Sequence, residues 1–248
     1  LIQEGLLHEE ISLYFARDPG DRSGHAVHLY RHQSDSIRSV MTGHNTVVTS
    51  GTGSGKSFCF AVPVVSTCLS LRDQGHAGIK AILVYPMNAL ANSQYDDLAE
   101  RLAGSGLKIA IYTGDTKHTF KEALAAYRER TGRSAPYDSE LISREEIQQN
   151  PPDILITNYV MLEYILTRHE DKILFPPEKL GMLKYLVLDE IHTYTGRKGA
   201  DTAYLIRRLK QHTGTSGKLR CIGTSATVMQ GEGEEAGEAI AKFATKLF

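Results

Sequence analysis

Short apolar runs rich in β-branched residues recur along the chain, at 46–49, 81–85, 154–157, 185–188 and 221–224, with a weaker one at 108–112. Most are separated by segments whose apolar residues return at the period of a half-buried helix. A strand that is continuously apolar is buried on both faces, and such strands alternating with helices predict an α/β fold: a parallel sheet with helices on both faces. Each of the five strong runs also ends in a polar motif. In order these are Thr49 to Ser57, Tyr85-Pro86-Met87-Asn88, Thr157-Asn158-Tyr159, Asp189-Glu190-Ile191-His192 and Thr224-Ser225-Ala226-Thr227. Ligands bind beyond the carboxyl ends of parallel strands, so these motifs are expected to meet on one rim.

The first motif has the chemistry of a phosphate loop. In Ser50-Gly51-Thr52-Gly53-Ser54-Gly55-Lys56-Ser57, glycines without Cβ let backbone N–H groups curl around phosphates, Lys56 adds a positive charge, and the Ser57 hydroxyl can ligate Mg²⁺. The apolar stretch Phe58-Cys59-Phe60-Ala61-Val62 follows, so the strand, loop and helix order is present. One departure from the strict pattern is Ser50, where a glycine is usual. The second element is Asp189-Glu190, emerging from Leu186-Val187-Leu188. One carboxylate there can hold Mg²⁺ and the other can position or deprotonate an attacking water, which points to hydrolysis of a nucleoside triphosphate.

Composition narrows the setting. The 248 residues suit one large domain, and 41% hydrophobic, 23% charged and a net charge of −1 exclude a polybasic nucleic-acid binder. Cys59, Cys68 and Cys221 are widely spaced in apolar surroundings and read as reduced, buried thiols of a cytoplasmic protein. No apolar run approaches the ~18 residues of a membrane span, so no membrane partner is expected. The chain starts at Leu1 rather than Met and stops in the helix-like Ala239 to Ala244, so it reads as a piece of a longer protein.

In their order and separation, Gly-x-Gly-Lys-Ser, Asp189-Glu190-Ile191-His192 and Ser225-Ala226-Thr227 resemble motifs I, II and III of superfamily 2 helicases, over nearly the whole chain. Leu29-Tyr30-Arg31-His32-Gln33 resembles the Q motif, and in the helicase form of motif I the position of Ser50 is usually Ala. Tyr85 to Gln94, and Asp189 to Tyr194 with Gly196, resemble the Hrq/Mrf-like branch related to RecQ, which includes DNA repair and anti-phage helicases. The resemblance implies one RecA-like P-loop domain over 1–248, the first motor lobe of an ATP-dependent helicase of the DEAD/DEAH-box type. It implies ATP held by Gln33, Gly51, Thr52, Gly53, Ser54, Gly55, Lys56 and Ser57, with Gln33 reading the adenine. Mg²⁺ would sit on Ser57 and Asp189, Glu190 would act as base beside Lys56, and His192, Ser225 and Thr227 would couple hydrolysis to a bound strand. Pro86, Asn88, Gly114, Thr157 and Asn158 would grip that strand's phosphates, with single-stranded DNA favoured over RNA. A second RecA-like lobe would complete the ATP site, and other subunits of a defence or repair complex are possible partners. Without that lobe the chain is expected to be nearly inactive.

Residues 113–152 exceed a simple sheet crossover. Phe120, Leu124 and Tyr127 share a helical face, Ser143-x-x-Glu146 is a capping box, and Pro151-Pro152 stops that helix. The segment reads as a charged, solvated insertion, with a branch-specific contact to DNA or a partner as the alternative. Leu205, Ile206 and Leu209 make an inward stripe, with Arg207, Arg208 and Lys210 on a solvated outer face. His25, His28 and His32 have spacings a metal could use, but no cysteine lies nearby and no zinc is expected. Glu232-Gly233-Glu234-Glu235 reads as an exposed loop before the last helix. Two other functions stay open: a translocase that does not separate strands, and an ATP-switched binding or scaffold module of a defence or repair complex.

Overall fold

The computed structural model describes residues 1–16, 27–51, 53–226 and 234–248, with the side chains of 234–237 outside that description. Seven strands, β1 (Thr46–Thr49), β2 (Ala81–Val84), β3 (Ile109–Ile111), β4 (Glu140–Leu141), β5 (Ile154–Thr157), β6 (Tyr185–Leu188) and β7 (Arg220–Ser225), form one sheet in the order β1-β7-β6-β2-β5-β3-β4. Every pairing is parallel. The six expected runs are all strands. β4 is additional, and with two residues it is too short to carry a period.

Alternation within the strands divides the core in two. Ala81, Leu83, Ile154, Ile156, Tyr185 and Val187 pack beneath α1 (Ile11–Tyr14), α2 (Arg31–Met41), α3 (Lys56–Asp73) and α4 (Asn88–Leu102). Ile82, Val84, Leu155, Leu186, Leu188 and Cys221 face α6 (Arg144–Gln149), α7 (Tyr159–Thr167), α8 (Gly196–His212) and α9 (Glu234–Leu247). Leu205, Ile206 and Leu209 are buried while Arg207 and Arg208 are exposed, and Arg208 pairs with Glu163 of α7. The three cysteines are buried and unpaired, and burial raises each thiol, Cys221 to about 11.

Residues 113–152 are only in part the solvated insertion expected, since some of them enter the core. They supply the edge strand β4 together with α5 (Phe120–Thr131) and α6, and bury Ser139, Glu140, Ser143, Arg144 and Ile147. Both helices open on capping boxes, Thr119 with Glu122 and Ser143 with Glu146. The inward face of α5 is Ala123 and Tyr127; Phe120, expected to share it, is 43% exposed. Tyr127 sets the phase because its hydroxyl donates to the buried Glu140 carboxylate at 2.8 Å.

The acidic stretch is divided by the start of α9 at Glu234, so it is not loop throughout; residues 232 and 233 lie outside the described residues. So does His25, and among the described residues no cluster of His, Cys, Asp or Glu could hold a metal ion. No helix of the described residues is long and apolar enough to cross a membrane.

Candidate functional site

Strand register brings the motifs level. Thr49 lies beside Ser225, Val84 lies between Leu188 and Thr157, and Leu188 lies beside Gly223, so five motif-bearing strands end at one rim. Hydrogen bonds then join the motifs into two clusters.

The first cluster surrounds the phosphate loop. Gly53 and Gly55 take positive φ, 77° and 74°, and a Cβ on Gly55 would fall 2.5 Å from Gln33 Nε2. Ser50 is not among the positive-φ residues, so no glycine is required there. Its hydroxyl instead meets Ser54 Oγ across the loop at 2.6 Å, and its N–H donates to Ser225 O at 3.4 Å, tying the loop to the end of β7. Lys56 Nζ donates to Ser50 O at 2.7 Å and to Gly51 O at 2.9 Å, which holds the ammonium in the mouth of the loop. Gln33 is buried; its Oε1 accepts from Tyr30 N at 2.9 Å and its Nε2 donates to Gly55 O at 3.0 Å. An amide has two acceptor and two donor positions, so one of each is left for a base edge. Thr52 lies outside the described residues.

The acidic pair completes this cluster. The buried Thr224 hydroxyl donates to Asp189 Oδ1 and accepts from Glu190 N at 3.3 Å. Glu190 is the one non-glycine of positive φ among the described residues, at φ 51° and ψ 53°. A left-handed glutamate costs roughly 1 kcal/mol, and such strain persists where neighbours over-determine the backbone. Here the neighbours are Thr224 and Ala226, whose N–H donates to Glu190 Oε2 at 3.2 Å. His192 Nδ1 lies 3.1 Å from that same oxygen and 3.1 Å from Ser225 Oγ, so it bridges Glu190 and Ser225. Thr227 lies outside the described residues.

Burial raises the Asp189 pKa, the hydrogen bond from Thr224 opposes that shift, and the Glu190 charge reinforces it. A hard oxygen donor whose charge is ill-compensated suits Mg²⁺, as does the Ser57 hydroxyl, which now donates to Gln94 Oε1 of α4 at 3.0 Å. Folding favours the protonated Asp189 carboxyl. The folded chain is therefore stabilised relative to the unfolded one below Asp189's ordinary value of 3.8, and that stability is lost as pH climbs through the raised value. Asp189→Asn removes this loss and should make the chain more stable than its parent at pH 7. Thermal melts from pH 4 to 8 check it, and a variant less stable than its parent at pH 7 would refute it.

The second cluster lies at the ends of β2, β3 and β5. Asn158 Nδ2 donates to Asn88 Oδ1 at 2.9 Å, and Asn88 Nδ2 donates to Asp115 Oδ2 at 2.9 Å. Asn158 Oδ1 also caps α7, accepting from Met161 N at 2.8 Å. Half-buried Pro86 leads into α4, and Gly114 is exposed. Thr157 departs from expectation as a strand contact: it is 0% exposed and its hydroxyl donates to Tyr112 O at 2.7 Å, so its side chain braces the rim from beneath.

Two side chains of the first cluster escaped the sequence reading. Thr224 precedes the serine assigned to coupling, and only the register of β7 against β6 places it against Asp189. Gln94 lies six positions beyond Asn88 on α4, and the fold sets it on Ser57. Helix α4 thus touches both clusters, one through Asn88 and the other through Gln94.

Comparisons with known proteins agree with this geometry. Druantia protein DruE of Escherichia coli strain UMEA 4076-1 is 30% identical over 80% of this chain, and ATP-dependent helicase hrq1 of Schizosaccharomyces pombe is 26% identical over 80%; the chain spans 16% of each of those proteins. The crystal structure of DUF1998 helicase MrfA bound to DNA and AMPPNP superposes with a TM-score of 0.64 at 28% identity, over 96% of this chain and 28% of that one. The family model for DEAD/DEAH box helicases matches residues 30–234. Phosphate loop, strained acidic pair and Ser-Ala-Thr strand end, joined in this way on a RecA-like sheet, place the chain in the DEAD/DEAH box helicase family, on the side of superfamily 2 to which Hrq- and Mrf-like helicases belong.

Proposed function

We propose that this chain is the first motor lobe of an ATP-dependent nucleic-acid helicase or translocase that acts on DNA in repair or anti-phage defence. The observation that carries the reading is helix α4, which joins the Ser57 side of the ATP cluster to the Asn88 side of the rim cluster. Lys56 contacts the β- and γ-phosphates, Glu190 takes the proton of the attacking water, and His192 with Ser225 relays the state of the site to the strand. Ser57 and Asp189 would hold Mg²⁺, which supplies charge neutralisation at the phosphates. Asn88 and Gly114 grip strand phosphates without reading bases. Similarity to MrfA solved with DNA supports DNA over RNA.

A second RecA-like lobe supplies arginines to the γ-phosphate, a contribution worth roughly 10³ to 10⁵ in rate. The chain alone should therefore hydrolyse ATP very slowly. Steady-state ATPase assays with single-stranded DNA, duplex DNA and RNA, on this chain and on the protein with its second lobe, test the proposal. DNA should stimulate only the latter. Rapid DNA-stimulated turnover by the chain alone would refute the divided site, and stimulation by RNA only would refute the choice of DNA.

A further inference from the structure

We propose that Arg144, contributed by the segment between β3 and β5, is a positioning residue for the phosphate grip, an inference that rests on the nucleic-acid reading above. Arg144 is buried, with 7% of its surface exposed. Its Nε donates to Thr116 O and one terminal nitrogen donates to Thr113 O, each at 3.0 Å, and the guanidinium lies 5.0 Å from the centre of the Tyr112 ring. Its own N–H donates to Lys117 O at 2.9 Å, and Glu145 N donates to His118 O at 3.2 Å, so the start of α6 is sewn along the turn that follows β3. Among the described residues no carboxylate forms an ion pair with it. A buried cation needs compensation, and here the two turn carbonyls supply it.

The consequence follows from peptide geometry. In a planar trans peptide the C=O of one residue and the N–H of the next point in opposite directions, and the chain has no cis peptide among its described residues. Drawing Thr113 O and Thr116 O inward onto Arg144 therefore turns the N–H groups of Gly114 and Lys117 outward. The other turn donors are engaged internally: Thr113 N on Thr116 Oγ1 at 2.9 Å, Asp115 N on Thr113 Oγ1 at 3.3 Å, and Thr116 N on Thr113 O at 3.3 Å. Gly114 and Lys117 are both exposed. Two outward N–H groups backed by a guanidinium with no paired carboxylate make a concavity for one backbone phosphate. Asp115 of the same turn accepts from Asn88, which accepts from Asn158, so the Arg144 brace reaches the ends of all three strands.

Arg144→Lys is the decisive variant, because lysine keeps the charge but cannot bridge two carbonyls in a fixed fork. Anisotropy with a labelled oligo-dT measures strand affinity, and a fluorescent ATP analogue measures nucleotide affinity on the same protein. Arg144→Lys should lose about ten-fold or more in oligo-dT affinity, the scale of one charge-assisted contact, with nucleotide affinity within about two-fold of the parent. Amide exchange across residues 113–118 should rise in the same variant without DNA. Arg144→Gln, which keeps a planar donor group, should hold its fold and show a loss at least as large. Parental oligo-dT affinity in Arg144→Lys, or an equal fall in nucleotide affinity, would overturn the positioning role. A parent protein that binds ATP but no oligo-dT would overturn the nucleic-acid reading itself.

Discussion

With the second lobe present, Glu190→Gln should lower ATP turnover by roughly 10²- to 10⁴-fold, the usual contribution of a general base. Nucleotide affinity should stay within about two-fold. The amide is isosteric and keeps an oxygen to accept the Ala226 N–H, so the left-handed backbone and the contact with Thr224 survive. What disappears is the capacity to take a proton. Single-turnover hydrolysis, read beside binding of a fluorescent ATP analogue, separates the two effects. If turnover and biological activity were both unchanged, Glu190 would not be the base and the ATP-switched scaffold would become the better reading.

The largest effect on stability is expected at the opposite end of the sheet. Lys80 is 0% exposed; its ammonium is paired with Asp153 Oδ1 and reaches Gly78 O at 3.4 Å. Asp153 Oδ2 also accepts from Lys108 N at 2.7 Å, so the pair binds together the entries to β2, β3 and β5. Asp153→Ala leaves a buried ammonium unpaired and should destabilise the chain by about 3–5 kcal/mol. That is a large share of the roughly 5–15 kcal/mol that holds an ordinary domain together. At this size the midpoint should fall by about 10 °C. The double variant Lys80→Met with Asp153→Leu removes both charges and should recover most of the loss. Urea unfolding of the three proteins measures it; a single variant within 1 kcal/mol of the parent would contradict the account.

What could be read from the residues follows from how each signal is encoded. The strands β2, β5 and β6 were legible because a strand buried on both faces reads as an apolar run, and β1 and β7 because β-branched residues lead into a polar motif. The phosphate loop and Asp189-Glu190 were legible because their chemistry is local, set by residues adjacent in the chain. Ser50 shows the limit. Its tolerance is a matter of residue type, but its bond to Ser54 and its tie to β7 depend on how the loop closes. The phase of α5 was misjudged because Phe120 is apolar, whereas the helix turns instead to place Tyr127 on Glu140.

By itself the sequence determined the α/β class, six of the seven strands and the motifs proposed to hold phosphate, metal and a proton, since each depends on period or on neighbours in the chain. Only the tertiary structure decided that residues 113–152 add the edge strand β4 to the sheet, that Thr224 and Gln94 bond to Asp189 and Ser57, and that Lys80 and Arg144 are buried. The reason is physical. A lysine or arginine carries the same local pattern whether solvated or enclosed, and what encloses it comes from segments distant in the chain, Asp153 for Lys80 and the Thr113 to Thr116 turn for Arg144.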